Sequence, residues 1–522
     1  MNKSSRTKNS TLNFITGTVG QILVILLRFV TRTVLIYTLG KAYLGINGLF
    51  SDVLSMLSLT ELGLDTAINF KFYKPLAEHD DQRVRVLVKF YKQAYRVIGA
   101  VVLALGLCLI PFLPTLIKDY DSLSTLGINA PLIFILYLLQ SVSSYLFFAY
   151  RSAVMRADQK KHILDVADYV VTIAQNTAQI LVLVFLQDFL IYTGIGLVFV
   201  ILKNFVNAKI AERYYPQFFI KEEKSLQKEE VIGLFKDCGA LFVYKVNNVV
   251  LKATDNIVLS SFLGLSIVGL YSNYLLFCIA IKTLLGQIYA AVRASMGNLF
   301  VVSNIETKYR FFQIMNYLTI LTYGTAAVGL AVCSDELIRV WITYDYVIPQ
   351  PFSILIGVEI LFTGLTINLG QIRNVSGIFR QLWYRPVIGV IINIVVSVIL
   401  VQICGIYGVI IGTIVSILFA NFLVDPSVIH KYAFEHYKPV SEYYRKNLLY
   451  IAILVLVAAA DMWLCSVVFV GHGWFSAVAH IIIVSLSVPS VFTLLYWKSH
   501  ECQYLVQLVK RVLKQVTRKV FG

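Results

Sequence analysis

The sequence predicts an all-α polytopic membrane protein of about fourteen transmembrane helices, built as two six-helix lobes related by a parallel repeat plus two C-terminal helices. Three observations predict it. Of the 522 residues, 58% are hydrophobic and only 14% charged, with a mean hydropathy of +0.74, whereas a soluble chain carries roughly a quarter charged residues. Apolar runs of about 20 residues follow one another, each long enough to cross a ~30 Å hydrocarbon core. A short segment also recurs at an offset of 224 residues.

The spans fall near 12–40, 46–70, 93–117, 129–150, 163–186, 189–208, 237–262, 266–292, 311–333, 350–372, 386–403, 406–424, 448–468 and 475–497. The first is too long for a signal-peptide core and lacks a small-residue cleavage site, so it is expected to stay as a helix. With the N-terminus inside, 37 of the 45 Lys and Arg fall in inward segments and span ends; three (Lys41, Lys118, Arg339) fall in outward loops and five within spans. Cytoplasmic loops carry that excess, so both termini are expected in the cytoplasm. The net charge of +16 then records topology, and no nucleic-acid partner is expected. The seven cysteines are scattered with no CxxC pair and read as small apolar fillers.

No connection is long enough for a separate soluble domain. The expected organisation is a six-helix lobe over 1–210, a cytoplasmic linker over 211–236, a second six-helix lobe over 237–425, two further helices over 426–498 and a basic amphipathic cytoplasmic tail over 499–522. In the tail, Leu505, Val509, Val512, Leu513, Val516 and Val520 share one helical face, with Lys510, Arg511, Lys514, Arg518 and Lys519 largely elsewhere. That pattern suits a helix lying on the anionic inner leaflet, with membrane lipids as its partner; a partner-binding helix is the alternative.

The repeat carries the lobe plan. "LGKAYLG" (Leu39–Gly45) closes the first hairpin and "LGLSIVG" (Leu263–Gly269) the one opened by span seven, each with glycines five apart. A gapped echo links "YTGIGLVFV" (Tyr192–Val200) with "IYGVIIGTIV" (Ile406–Val415). A unit of six spans is even-numbered, so both copies have the same orientation, as in parallel-repeat transporters.

Charges inside spans point to function, because a charge at the bilayer centre costs at least about 2.5–3.5 kcal/mol. Arg28 and Arg32 lie in span one, Lys245 and Lys252 in span seven, and Lys282 in span eight; the offset places Arg28 on Lys252, Gln21 on Lys245 and Arg32 on Asn256. One reading is snorkelling or buried ion pairing, for example Lys252 with Asp255 at i, i+3. The other is a hydrated cationic cavity for an anion such as a phosphate or diphosphate. Asp52, Glu61 and Asp65 in span two, Asp255 in span seven and Glu359 in span ten are candidates for H+ or Na+ coupling, against a plain role as cavity wall or counter-ion. Asp461 stands similarly in span thirteen.

Catalytic signals are weak. Asp119–Asp121 matches a DxD metal pattern but sits in a short outward loop, the seven histidines form no ligand-spaced cluster, and there is no P-loop. No cofactor, metal site or enzymatic activity is expected.

The segment "YLGINGLFSDVLSMLSLTELGLDTAINFKFYKPLAEHD" (Tyr43–Asp80), with "YRVIGAVVLALGLCLIPFLP" and the "RADQKK" loop, resembles the bacterial polysaccharide transporter family, the Wzx-type lipid-linked oligosaccharide flippases. That family is grouped with MATE-like exporters and lipid II flippases in the MOP superfamily. The resemblance implies a flippase of the bacterial cytoplasmic membrane. Its cargo would be undecaprenyl-diphosphate-linked repeat units for capsule, exopolysaccharide or O-antigen-type polysaccharide, moved by alternating access. Partners would be the polyprenyl-diphosphate-linked oligosaccharide and, beyond it, a polymerase and glycosyltransferases. Related flippases line their cavity with basic residues of spans one, two, seven and eight. Arg28, Arg32, Lys252 and Lys282 fit that pattern, while span two here carries acids. The alternatives are a MATE-like drug or cation antiporter, a lipid II-type precursor flippase and, with no suitable acidic loop, a membrane glycosyltransferase or polymerase.

Overall fold

The computed structural model describes the backbone of residues 3–58, 64–118, 120–125, 127–220, 222–378, 380–468 and 473–521, with side chains except at 3–15, 18, 64–67, 69–70, 149, 234–248, 251–252, 290–291, 293–295, 298, 301, 380 and 512–521. Among these residues the chain is helical, with no strand. In order, the helices are α1 (Lys3–Leu39), α2 (Lys41–Leu57), α3 (Leu64–Glu78), α4 (Asp81–Leu109), α5 (Leu113–Leu116), α6 (Ala130–Leu146), α7 (Ser152–Ala157), α8 (Lys161–Phe185), α9 (Phe189–Tyr214) and α10 (Lys228–Leu263). They continue as α11 (Leu265–Val302), α12 (Ile305–Thr319), α13 (Thr325–Trp341), α14 (Phe352–Ser376), α15 (Arg385–Cys404), α16 (Ile406–Ser416), α17 (Asp425–Tyr432), α18 (Val440–Val467), α19 (Trp474–Leu495) and α20 (His500–Phe521).

Eleven helical stretches among the described residues are long and apolar enough to cross a membrane, and each coincides with one expected span. The other three expected spans are also helical. Span 129–150 is the 17-residue apolar α6, and 46–70 comprises α2 and α3 on either side of residues outside the description. Span 237–262 lies in α10, which carries Lys245, Lys252 and Asp255. The chain is therefore all-α and polytopic.

Local chemistry sets the helix starts. The side chains of Asp80, Asn129, Asp188 and Asn304 accept from the backbone N–H three residues on, at 2.9–3.1 Å, satisfying a donor that the first turn leaves unpaired. Gln227 and Glu230 close a capping box at the start of α10. Short π-helical turns over Ile320–Gly324 and Ile417–Phe422 interrupt the runs that join α12 to α13 and follow α16.

The chain divides into two compact units, Met1–Ser272 and Asn273–Gly522. In the first, α1 packs on α8, α8 on α9, α9 on α6, and α6 on α4, while α10 packs on α2 and α3. The division falls in the first turns of α11 because α10 and the hairpin that follows it are held by α2. The first turn of α10 and the segment before it are strapped to α4: Arg83 pairs with Glu230, Arg85 Nε lies 3.0 Å from Glu222, and Lys89 Nζ donates to the carbonyl of Glu223 at 2.7 Å. In the second unit α13 is central, packing on α14, α18 and α19, with α15 against α16 and α20 on α12.

Polarity runs opposite to that of a water-soluble fold. Asn273, Thr319, Asn368, Asn393, Asp425 and Asn447 are fully enclosed, whereas Leu456, Leu494 and Phe185 are more than 70% exposed. Such an exterior is stable only against lipid.

Candidate functional site

In the first unit the two hairpins of the repeat meet. Gly40 separates α1 from α2 at φ 84°, ψ −173°, and Gly264 separates α10 from α11 at φ 91°, ψ 169°. These residues are 224 apart and share a backbone region that residues with a Cβ rarely enter. Beyond the turns the backbones come into contact. A Cβ on Gly45 would lie 2.0 Å from the carbonyl oxygen of Leu265, and one on Gly269 would lie 2.3 Å from that of Lys41. Leu265 is the repeat equivalent of Lys41, and Gly269 of Gly45, so the two contacts are one contact made twice.

Arg32 sits beside this seam. Its guanidinium donates to Ser272 Oγ, and Ser272 Oγ donates to the carbonyl of Gly269 at 2.8 Å. The equivalent pair, Asn256 and Gly48, also adjoins: Asn256 Nδ2 would be 3.5 Å from a Cβ on Gly48. Asn256 Nδ2 donates to Asp52 Oδ2 at 2.5 Å, and Asp255 Oδ2 accepts from Tyr271 Oη at 2.8 Å. Arg28, one turn from Arg32 on the same face of α1, is exposed. Around them, Tyr137 Oη donates to Asn47 at 2.6 Å, Thr31 Oγ1 to Asn176 at 2.7 Å, and Gln140 Nε2 to the carbonyl of Thr193 at 2.8 Å. These polar contacts among α1, α2, α6, α8 and α9 had no signal in the sequence beyond isolated Asn, Gln and Tyr residues.

Four expected site residues cannot be placed atom by atom. Glu61 lies outside the described residues, as do the side chains of Asp65, Lys245 and Lys252, whose backbones belong to α3 and α10.

In the second unit two expected residues come together. Lys282 Nζ of α11 lies 2.9 Å from Glu359 Oε1 and 3.2 Å from Oε2 of α14, and Thr363 Oγ1, one turn on, donates to Oε1 at 2.9 Å. The Glu359 side chain is 10% exposed and that of Lys282 32%. Cys278 and Tyr323 stand within electrostatic reach of the same carboxylate; Tyr323 comes from the π-helical turn and lies against Gly364.

Three further polar clusters lie in this unit, and of their members only Asp461 was singled out from sequence. The fully buried Asp425 accepts from both Arg373 and Arg385. Glu336 accepts from Ser476 and lies 2.6 Å from His480 Nδ1, tying α19 to α13. Ser487 donates to Asp461 at 2.6 Å. Partners this far apart along the chain, up to the 144 residues between Glu336 and His480, leave no local pattern to read. Among the described residues no group of His, Cys, Asp and Glu has the arrangement of a metal site.

Outside the spans, Arg85 and Arg83 hold the carboxyls of Glu222 and Glu230 below the usual glutamate range through direct hydrogen bonds.

No protein-family model and no curated protein matches the chain. Solved structures do. The lipid II flippase MurJ in an inward closed conformation superimposes with a TM-score of 0.60 at 13% identity, over 93% of this chain and 98% of that one. An inward-facing multidrug resistance MATE family transporter of the MOP superfamily gives 0.57 at 11%, over 81% and 99%. A point mutant of the Vibrio cholerae MATE transporter VcmN gives 0.53 at 12%, over 82% and 99%. At these identities the likeness is one of fold, and the fold is that of MATE transporters and MurJ.

Proposed function

We propose that this protein is a flippase that moves polyprenyl-diphosphate-linked oligosaccharide repeat units from the inner to the outer leaflet of the bacterial cytoplasmic membrane. It would act by alternating access, with both termini in the cytoplasm. The observation that carries the reading is a set of membrane-depth cations, Arg28 and Arg32 on α1 and Lys282 on α11, in a fold shared with a lipid II flippase. Arg28 and Arg32 are on one helical face and suit bidentate contact with phosphate, whereas Lys282 is a compact charge on a flexible stem. Lys245 and Lys252 of α10 are proposed as further substrate-binding cations. The lipid tail would stay in the bilayer while the diphosphate and sugars follow the hydrated path.

The six-helix lobes over 1–210 and 237–425, joined by the 211–236 linker, would be the moving parts, with 426–498 as two added helices and the 499–522 tail on the inner leaflet. Cargo of this kind would be supplied by glycosyltransferases and consumed by a polymerase making capsule, exopolysaccharide or O-antigen-type polysaccharide. Asp52, Glu61, Asp65, Asp255 and Glu359 are the candidates for H+ or Na+ coupling. A drug or cation antiporter is the less favoured reading, because Glu359 already has Lys282 as its partner and offers a cationic substrate no net negative charge. A lipid II-type cargo is less favoured because span two carries acids.

The test replaces Arg28 and Lys282 by Gln, singly and together, in cells that depend on the protein for surface polysaccharide. Each charge-assisted phosphate contact contributes about 1.5–3 kcal/mol, a loss of about ten- to a hundredfold in affinity. Export should fall accordingly with membrane levels of the protein unchanged. Undiminished export in the double variant would overturn the reading.

A further inference from the structure

We infer that Lys282 and Glu359 form an exchangeable ion pair: the phosphate of the cargo replaces Glu359 as the partner of Lys282, and Glu359 then takes up one proton. This rests on the proposed lipid-diphosphate reading and gives that site its coupling step.

The geometry makes the pair unequal. Lys282 Nζ spans both oxygens of Glu359, at 2.9 and 3.2 Å, yet the lysine side chain is 32% exposed and the glutamate side chain 10%. Lys282 therefore reaches open space on a four-carbon stem, while Glu359 is enclosed and further held by Thr363 Oγ1 at 2.9 Å. The diphosphate, with two negative charges to the carboxylate's one and acceptor oxygens on several sides, competes for the ammonium. When the lysine turns away, Glu359 keeps one hydroxyl donor and loses its counter-charge. An enclosed carboxylate without a counter-ion is strongly disfavoured and is relieved by binding a proton.

No neighbour among the described residues can replace the lysine. From α11 the carboxylate is faced by Cys278 besides Lys282, and from the π-helical turn by Tyr323; none but the lysine is a cation. Charged residues on the other elements packed against α14 have partners of their own or stand apart from Glu359 along the helix. Glu306 of α12 pairs with Arg310 at 2.7 Å, and Lys308 stands over the Phe300 ring. Asp335 of α13 accepts from Tyr274 at 2.7 Å and from Ser353, at the start of α14, at 3.1 Å; Arg339 lies a turn further along α13, away from Glu359. Glu336 is paired with His480, and Asp425 of α17 with Arg373 and Arg385. α16, of sequence IYGVIIGTIVS, carries no charge. The exchange balances: Lys282 stays an ammonium throughout and passes from a carboxylate to a phosphate oxygen, while the Glu359 carboxylate gains one proton from bulk water and becomes a carboxylic acid. Loading one cargo anion thus loads one proton at a second place.

The experiment uses the purified full chain in detergent at neutral pH, weakly buffered with a pH indicator, and geranyl diphosphate as the probe. The wild type should take up about one proton per probe bound. Its infrared difference spectrum should gain a protonated-carboxyl band. E359Q, near-isosteric and checked for a monodisperse elution profile, should bind about tenfold more tightly, because the competing partner is gone, and should show neither the proton uptake nor the band. Protons exchanged by the diphosphate itself appear equally in E359Q and are subtracted with it. Binding by the wild type without proton uptake, or the same uptake in E359Q, would overturn the exchange while leaving the lipid-diphosphate reading intact. Failure of the wild type to bind the probe at all would instead overturn that reading, and the exchange with it.

Discussion

The carbonyl oxygen of Leu265 occupies the place where a Cβ on Gly45 would be, 2.0 Å from it, and the carbonyl of Lys41 stands in the same relation to Gly269 at 2.3 Å. Both obstacles are backbone, so neither can swing aside as a side-chain tip would. Gly45→Ala and Gly269→Ala should each destabilise the protein by about 1–3 kcal/mol through overpacking. Gly194→Ala, on a helix where a Cβ meets nothing within 4 Å, should leave stability unchanged or raise it by up to about 1 kcal/mol. Thermal unfolding in detergent checks all three, and equal melting temperatures would refute the close approach.

Asn256 is 3% exposed and donates to Asp52 at 2.5 Å. Removing the amide by Asn256→Ala takes a charge-assisted donor from a half-buried carboxylate and should cost about 1.5–3 kcal/mol. Asn256→Gln, which retains the donor on a longer stem, should recover part of the loss in the same unfolding assay.

The strap between α4 and the segment before α10 should depend on charge and on pH. Arg85→Glu should speed hydrogen exchange over residues 219–230, and adding Glu222→Arg should restore protection. Glu222 and Glu230 titrate below the ordinary glutamate value because of Arg85 and Arg83. Their contribution is therefore fully present above about pH 4.3 and is lost as pH falls through the depressed values. Exchange over this segment, corrected for intrinsic rate, should be flat from about pH 8 to 5 and rise only in stronger acid.

Asp425 is wholly enclosed and accepts from Arg373 and Arg385. Asp425→Ala leaves two arginines without their acid and should cost about 3–5 kcal/mol. Combining it with Arg385→Met should cost less than the two single changes added, because the second removes one of the stranded charges. Denaturant or thermal unfolding of the four proteins measures the coupling.

Much of the fold is legible in the sequence because each span must satisfy its backbone within itself, which writes helix length directly into hydropathy. The repeat is legible for a related reason: the turns at positions 40 and 264 share a backbone region that suits glycine alone, so the same residue marks both. The cost of membrane-depth charge drew attention to Lys282 and Glu359 separately. Their pairing was hidden, since 77 residues separate them and helix spacing reports only neighbours three or four apart. At Asp255 the sequence offered Lys252 at i, i+3, whose side chain lies outside the described residues, and the structure adds a partner that spacing could not show, Tyr271 Oη from the next helix. His480 read as one of seven scattered histidines, yet its partner is a glutamate 144 residues away. Arg373 and Arg385 read as loop charges that mark an inward face, although they converge on Asp425.

The paired hairpin contacts have the form of an isologous dimer interface, in which patch i meets patch j and patch j meets patch i. Two identical chains meeting through "LGKAYLG" would have to make each contact twice with the same residues, so an arginine at position 32 would stand beside Gly48 of the other copy on both sides of the axis. Here the two sides belong to one polypeptide. The position that holds Arg32 beside Ser272 holds Asn256 beside Gly48 on the other side. Covalent linkage lets the seam stay twofold in its backbone while its charge is one-sided, an asymmetry closed to any homodimer of the repeat.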